Sequence, residues 1–418
     1  MRPASATIFG VLLIANSFFP RLAGCDEGAD GLADHEGNNQ QQPHFPAKPS
    51  ITFTLAGNHS GVEQERHQQG GGGGILRLRL PDCYSSSGAD PSLGAWTMCE
   101  GGEKTCSPSY QENWDAVNDI PRSYRGCRPR WEDEHEGKGP MPYWTWEPSA
   151  CNLEEVDAER FCRVMAGRKG LLFVGDSLTG QMIETLASIL RAETVHSTII
   201  PVGSKWAACD GTLKFSWYRN DYLDTRTTEK SGPYPTVHCK EPDVSDTRCV
   251  VFADDAILGE YDTLVVNSGQ HRSLGGMEEY AEMMNSTSAF LAASMHRLHG
   301  NDAILVVRNT PPGHRGSYER VFDGPVDAAT ANRLVEEGPP EYEWYTMPDK
   351  NELLEDAFVK TGGSWTLLDA YTPTVLRADM HGTKDDGVHY CIPGPIDHWI
   401  TLLYNILLVR TSSANDAN

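Results

Sequence analysis

Four apolar residues, Leu171-Leu172-Phe173-Val174, run without a break into Gly175-Asp176-Ser177, after which Met182, Leu186 and Ile189 recur at helical spacing between Thr179 and Leu190. An unbroken apolar run of this length suits a strand buried on both faces, and the period that follows suits an amphipathic helix. Similar alternation continues down the chain: 197–201, 264–266, 303–307 and 366–369 read as strands, and 278–298, 350–359 and 395–408 as helices. Strands alternating with helices predict an α/β fold, with a mainly parallel sheet covered on both faces. Ser177 then falls at a strand-to-helix turn. In open α/β sheets ligands collect beyond the carboxyl ends of the strands, where helix N-termini present free N–H groups to negative charge.

The pattern is different before residue 151. Arg2, an apolar stretch over 6–19 and then Pro20-Arg21 form a segment shorter than the ~20 residues a membrane span needs. Residues 1–24 therefore read as a secretory signal peptide, with a signal anchor as the alternative. Leu22-Ala23-Gly24-Cys25 resembles a bacterial lipoprotein box, but Pro20 and Arg21 interrupt the approach to it. Residues 25–79 are polar and biased, with Gln40-Gln41-Gln42 and a glycine run over 70–74, and are expected to form a disordered stem or linker. Residues 80–150 hold Cys83, Cys99, Cys106 and Cys127 among aromatics with little helical periodicity, which predicts a loop-rich, disulfide-stapled flap. The α/β core is expected over 151–411, and a polar, disordered tail over 412–418.

Charge and cysteine usage narrow the setting. The 418 residues are 39% hydrophobic, enough for a substantial core, and carry a net charge of −23. That balance excludes a nucleic-acid partner, whose phosphates require clustered Lys and Arg, and disfavours strongly anionic polymers. Of eleven cysteines, Cys25 lies at the processing boundary and leaves an even ten between Cys83 and Cys391. An even set in a secreted chain predicts disulfides. The sequence has no C-x-x-C pair and no His at zinc-finger intervals, so no metal site is expected. Asn58-His59-Ser60 and Asn285-Ser286-Thr287 are glycosylation sequons.

The candidate chemistry rests on Ser177 together with Asp386-Gly387-Val388-His389. Serine is a poor nucleophile at neutral pH and needs a base whose tautomer a third group holds. Asp386 and His389, three residues apart, can meet on one face of a turn. Each assignment has a structural competitor. Asp176 and Ser177 are both favoured helix caps, His389 could be a satisfied core imidazole, and His314, after Pro311-Pro312-Gly313, is a rival base. Asp176 reads more readily as an anchor of the turn than as a proton-transfer group. The oxyanion donors expected are the N–H of Ser177 and the side chain of Asn267, at the end of the strand over 264–266; Gly203 and Gly211 are further candidates.

At these residues the chain resembles a known family. Gly175-Asp176-Ser177 with Asp386-x-x-His389 is similar to the SGNH/GDSL hydrolases, specifically the PC-esterase branch that includes the trichome-birefringence-like polysaccharide O-acetyltransferases of plants. Matches follow in order: Trp144-Thr145-Trp146 with Pro148 and Cys151-Asn152-Leu153, then Asn267-Ser268-Gly269, then Arg308 with Pro312 and His314, then His389-Tyr390-Cys391-Ile392-Pro393-Gly394 with Asp397 and Trp399. Two positions depart, Gly180 where plant members usually carry Arg and Gln270 where they usually carry His, so donor and substrate do not carry over directly. The resemblance implies an SGNH, flavodoxin-like three-layer fold and an O-acetyltransferase working through a serine acyl-enzyme. It further implies an acetyl donor as co-substrate with no bound cofactor, a polysaccharide or glycan acceptor, and a place in the Golgi lumen if anchored or outside the cell if cleaved. Asp176, Gly269, Arg308, His314, Trp144 and Trp146 become candidates for the cleft, the two tryptophans either stacking on sugars or packing the core. A secreted acetylesterase using the same three residues and an inactive glycan-binding protein are the alternatives. Cys391, two residues after His389, is expected to tie the catalytic loop to the body through a disulfide.

Overall fold

All five residues of the apolar run Leu171–Gly175 are buried, because strands pair with it on both sides and helices cover both its faces. The computed structural model describes residues 80–85, 89–110, 131, 137, 141–196, 203–225, 250–271, 276–314, 316, 322–338, 343–382 and 386–415, all within the unit Glu65–Asn418. In chain order the strands are β1 (Gly94–Cys99), β2 (Tyr143–Pro148), β3 (Leu171–Gly175), β4 (Glu193–His196), β5 (Gly203–Ala208), β6 (Leu213–Arg219), β7 (Thr263–Val266), β8 (Ile304–Arg308) and β9 (Thr366–Leu368). The helices of seven residues or more are α1 (Ala158–Val164), α2 (Ser177–Ile189), α3 (Met277–His299), α4 (Ala328–Glu336), α5 (Met347–Lys360) and α6 (Pro395–Asn415).

The seven-stranded sheet has the order β4-β5-β6-β3-β7-β8-β9. From β6 to β9 neighbouring strands are parallel, while β4 and β5 extend one edge antiparallel. Side chains alternate across β3. Leu171 and Phe173 pack with Leu178, Met182 and Leu186 of α2 and with Ile396, Trp399 and Leu403 of α6. Leu172 and Val174 pack with Met284, Leu291 and Met295 of α3 and with Leu354 and Phe358 of α5. This is the three-layer SGNH-type architecture expected from the sequence. Its parallel part has the flavodoxin-like order, in which connections leave β3 and β7 in opposite directions and open a crevice beyond their carboxyl ends. Ser177 and Asn267 flank that crevice.

The strands 171–174, 264–266, 303–307 and 366–369 and the helices 278–298, 350–359 and 395–408 are all present, with ends displaced by a few residues. The strand expected at 197–201 lies outside the described residues, as do 1–79 and Cys127 of the flap. β5 and β6 were not expected: in Leu213-Lys214-Phe215 apolar and polar residues alternate, the signature of an edge ribbon rather than of a strand buried on both faces. Helix α6 continues to Asn415, past the boundary at 412 that polarity suggested.

The flap is less loop-like than its composition implied. β1 and β2, distant in sequence, form a two-stranded antiparallel sheet with Trp96 opposite Trp146. Disulfides Cys83–Cys151 and Cys99–Cys106 staple it, and Cys162–Cys209 joins α1 to the β5–β6 turn. Its tie to the core is polar: Ser107 and Tyr143 donate to Asp397 Oδ2, both at 2.6 Å, and Ser109 donates to Oδ1 at 2.5 Å. The indole N–H of Trp96 donates to the carbonyl of Pro373 at 2.7 Å, and the Arg377 guanidinium lies 4.5 Å over the Trp96 ring.

Gly180, one turn into α2, lies directly under Trp217 of β6; a Cβ there would stand 2.8 Å from the indole. That ring cannot swing aside freely, since its N–H donates to the carbonyl of Gly175 at 3.3 Å. Alanine would gain about 1 kcal/mol of helix propensity but incur about 1–3 kcal/mol of overpacking against a rigid ring. Gly180→Ala is therefore expected to lower stability in urea unfolding; a stabilised variant would show that Trp217 yields.

Candidate active site

The turn after β3 divides its duties between two adjacent residues. Asp176 is the N-cap of α2, its Oδ1 accepting from the N–H of Leu178 at 3.0 Å and of Thr179 at 3.3 Å. Capping is thus done by Asp176, and the hydroxyl of Ser177, the first helical residue, is left to meet another partner. That partner is His389, whose Nε2 lies 2.7 Å from Ser177 Oγ. Its Nδ1 donates to Asp386 Oδ2 at 2.7 Å, which leaves Nε2 able to accept from the serine. Asp386 Oδ1 accepts from the backbone N–H of His389 at 2.9 Å and of Val388 at 3.1 Å. Burial alone would raise the Asp386 pKa, but the hydrogen bond and charge of His389 and the two amides hold it well below the usual carboxylate range. A depressed carboxylate keeps its contribution above the ordinary Asp value and loses it only as pH falls through the depressed one. His389 and Asp386 are partly open, at 23% and 30% side-chain exposure.

Ser177 and His389, 212 residues apart in sequence, meet because α2 grips the loop that carries His389 directly. Gln181 lies four residues after Ser177, on the same face of the helix. Its Nε2 donates to the carbonyl of Tyr390 at 2.7 Å, and its Oε1 accepts from the N–H of Tyr390 at 3.1 Å. Neighbouring contacts complete the loop's attachment. Tyr390 Oη donates to the carbonyl of Pro312 at 2.7 Å, Cys391 N–H to Met380 at 2.9 Å, and His314 N–H to Gly387 at 2.8 Å. Cys391 is disulfide-bonded, and since the other described cysteines pair among themselves, its partner lies outside the described residues.

Several residues expected to line the cleft lie beneath it. Asp176, Arg308 and His314 are fully buried and Gly269 is buried. Arg308 Nη2 donates to Thr179 Oγ1 at 2.9 Å and lies 3.7 Å from Asp176, with its guanidinium 4.8 Å over the ring of Trp399. Burial pulls its pKa down to about 10, opposed by Asp176, so it remains a cation at neutral pH and balances the buried carboxylate. His314 is not a base in contact with Ser177: its ring nitrogens face His381 and the carbonyl of Val375. Asn267, fully buried, directs its Nδ2 to the Arg308 carbonyl at 3.1 Å and to Thr310 Oγ1, while its Oδ1 has no hydrogen-bond partner. Both amide hydrogens are spent within the protein, so the side chain does not present the oxyanion donor expected of it. The N–H of Ser177 stands at a helix start, where the backbone ladder supplies no acceptor. Gly211 lies in the β5–β6 turn, at the far end of the sheet from Ser177, whereas Gly203 pairs with Tyr218 at the near end.

Trp144 and Trp146 line a different space. A cavity of about 720 Å³ lies beside the contact of β1 and β2 with the first turn of α6, with Trp96, Tyr143, Trp144, Trp146, Asp397 and His398 among its walls and no residue of the Ser177, Asp386 and His389 set. Trp146 is packed, at 7% exposure, with its N–H on Pro91 at 2.9 Å and its ring edge-on to Trp96. Among the described residues no group of three or more His, Cys, Asp or Glu is placed to hold a metal ion.

Residues 153–406 match the PC-esterase family, described as the GDSL/SGNH-like acyl-esterase family found in Pmr5 and Cas1p. The chain belongs to the PC-esterase family. Similar PC-esterase relatives include protein trichome birefringence-like 25 of Arabidopsis thaliana, 24% identical over 64% of this chain and 68% of the relative. Trichome birefringence-like 41 of the same plant is 24% identical over 80% of this chain and 95% of its own length. Xyloglucan O-acetyltransferase 1 of Arabidopsis thaliana is 23% identical over 63% of this chain and 70% of its own length. The family supports an enzyme of acyl-ester chemistry.

Gln181 and His381 were not singled out in the sequence. Gln181 carries a signal in retrospect, a long polar side chain one turn beyond Ser177 on a largely buried helix; nothing local marks His381. Gln181→Ala removes both bonds to Tyr390 and leaves a buried N–H and carbonyl unsatisfied, at about 1–3 kcal/mol each. A stability loss of about 2–5 kcal/mol is expected in urea unfolding, and an unchanged midpoint would show that the clamp is dispensable.

Proposed function

We propose that this protein is an O-acetyltransferase that moves an acetyl group to a polysaccharide or glycan hydroxyl through an acyl-enzyme on Ser177. The observation that carries the reading is the continuous hydrogen-bonded set Asp386, His389, Ser177 at the carboxyl end of β3, two links of 2.7 Å. His389 Nε2 takes the proton as Ser177 Oγ attacks the acetyl carbonyl, and Asp386 stabilises the resulting imidazolium. The N–H of Ser177, at the positive end of α2, faces the developing oxyanion. Collapse expels the donor's leaving group, which receives the proton from His389. A sugar hydroxyl then gives its proton to the same nitrogen, attacks the serine ester and leaves as the acetylated sugar, with the proton returning to Ser177. The acetyl donor is a co-substrate. Relatives named xyloglucan O-acetyltransferases support a polysaccharide acceptor, and the net charge of −23 favours neutral over strongly anionic ones. The disulfides support a place in the secretory pathway, with the N-terminal segment as leader or tether.

A second reading, an acetylesterase in which water replaces the sugar, is favoured by the acyl-esterase description of the family. Both chemistries use the same residues and differ in whether the site orients a hydroxyl and excludes water. The two separate when an activated acetyl ester and a panel of neutral and acidic oligosaccharides are supplied and free acetate and acetylated sugar are recorded together. Acetylated neutral sugar exceeding acetate, abolished by Ser177→Ala and reduced about 10⁴-fold by Asp386→Asn, is the expected result. Acetate alone would identify the esterase, and turnover by Ser177→Ala equal to wild type would remove both readings.

A further inference from the structure

Beneath the loop that carries Asp386 and His389, two buried imidazoles are joined end to end. His314 Nε2 lies 2.7 Å from the carbonyl of Val375, His314 Nδ1 lies 2.8 Å from His381 Nε2, and His381 Nδ1 lies 2.8 Å from the carbonyl of His389 itself. A carbonyl oxygen only accepts, so the two outer nitrogens must each carry a hydrogen. Two neutral rings would then have no hydrogen left for the central contact, and their lone pairs would face each other at 2.8 Å. The contact therefore requires a third proton among the four nitrogens.

We propose that His314 and His381 share a single proton and act together as positioning residues that hold His389 through its backbone carbonyl. Burial pushes both imidazoles toward neutrality, His314 down to about 4 and His381 down to about 3, and so opposes even the first charge; the central nitrogen-to-nitrogen contact, which two neutral rings with both outer nitrogens donating cannot make, is what retains it. One charge has compensation nearby. The charge of Asp379 favours a proton on His314 and that of Asp386 favours one on His381, with His389 opposing it, and the Tyr390 ring lies 4.6 Å from that of His381. Asp379 also accepts two bonds from Arg377, at 2.8 and 2.9 Å. The same pair grips the loop twice, since the backbone N–H of His314 donates to Gly387. Loss of the shared proton on raising pH leaves two hydrogens for three contacts, so either the central nitrogens repel or one outer carbonyl, of Val375 or of His389, loses its donor; alignment of His389 with Ser177 then fades on the alkaline side.

The inference rests on Ser177 as nucleophile only for its kinetic consequence, and the test separates the two. Neutron diffraction, or ring ¹⁵N NMR of the full chain at neutral pH, should find three protons on the four nitrogens of His314 and His381; two would overturn the proposal. In parallel, the rate at which a fluorophosphonate labels Ser177 is followed against pH. Wild type should decline at alkaline pH, and His381→Ala should label about tenfold more slowly or worse. His381→Asn, whose amide can still donate to the His389 carbonyl without a shared proton, should recover part of the rate and lose the alkaline decline. Labelling by His381→Ala at the wild-type rate would overturn the positioning role. Wild type that does not label at all would count against Ser177 as nucleophile while leaving the proton count decided by the nitrogens.

Discussion

The hydrogen bond between His389 and Ser177 depends on holding two residues from distant parts of the chain at 2.7 Å. Ser177 is fixed by the strand and helix on either side of it. His389 lies on an irregular loop with no ladder of its own, so its position must come from contacts to each backbone group in turn. Gln181 supplies both partners of Tyr390, Asp386 captures the N–H of Val388 and of His389, and His381 takes the carbonyl of His389. Such groups are costly to bury unpaired, which makes the loop cooperative: displacing one residue leaves several donors and acceptors unmet.

A second constraint is electrostatic. The cap of α2 is a fully buried carboxylate, tolerable because two helix N–H groups and the Arg308 guanidinium face it. Arg308 in turn rests on Trp399 of α6. Two residues before Trp399, Asp397 gathers three hydroxyls of the flap, and from the flap Trp96 reaches Pro373 and Arg377. The flap is thereby connected to both segments that support the loop carrying His389, and its packing bears on the geometry of His389 as well as on the shape of the surface.

The sheet was legible because β3, β7 and β8 are covered on both faces and so read as unbroken apolar runs. β5 and β6 were not, since edge and near-edge strands alternate and resemble loop. The meeting of Ser177, Asp386 and His389 was legible through their motifs, which encode local geometry: a cap and a hydroxyl at a helix start, and a carboxylate and an imidazole in one turn. Arg308, His314 and Asn267 were legible as residues of the site but not in their roles. A polar residue at a strand end looks alike in sequence whether it faces a substrate or braces the floor; only the partners of Nη2 in Arg308 and Nδ2 in Asn267 tell the difference. Gln181 and His381 act through backbone atoms of other residues, contacts that no motif records; the spacing of Gln181 from Ser177 is a weak mark of one, and nothing marks the other.

The central claim is that Ser177 carries the acetyl group between donor and acceptor. The most direct test is rapid acid quenching of the protein during turnover of an activated acetyl ester without sugar, followed by intact mass and peptide mapping. The account predicts an acetyl adduct on Ser177 that disappears when acceptor is added. Steady turnover with no acetyl on Ser177, or with the adduct on another residue that clears on addition of acceptor, would contradict it.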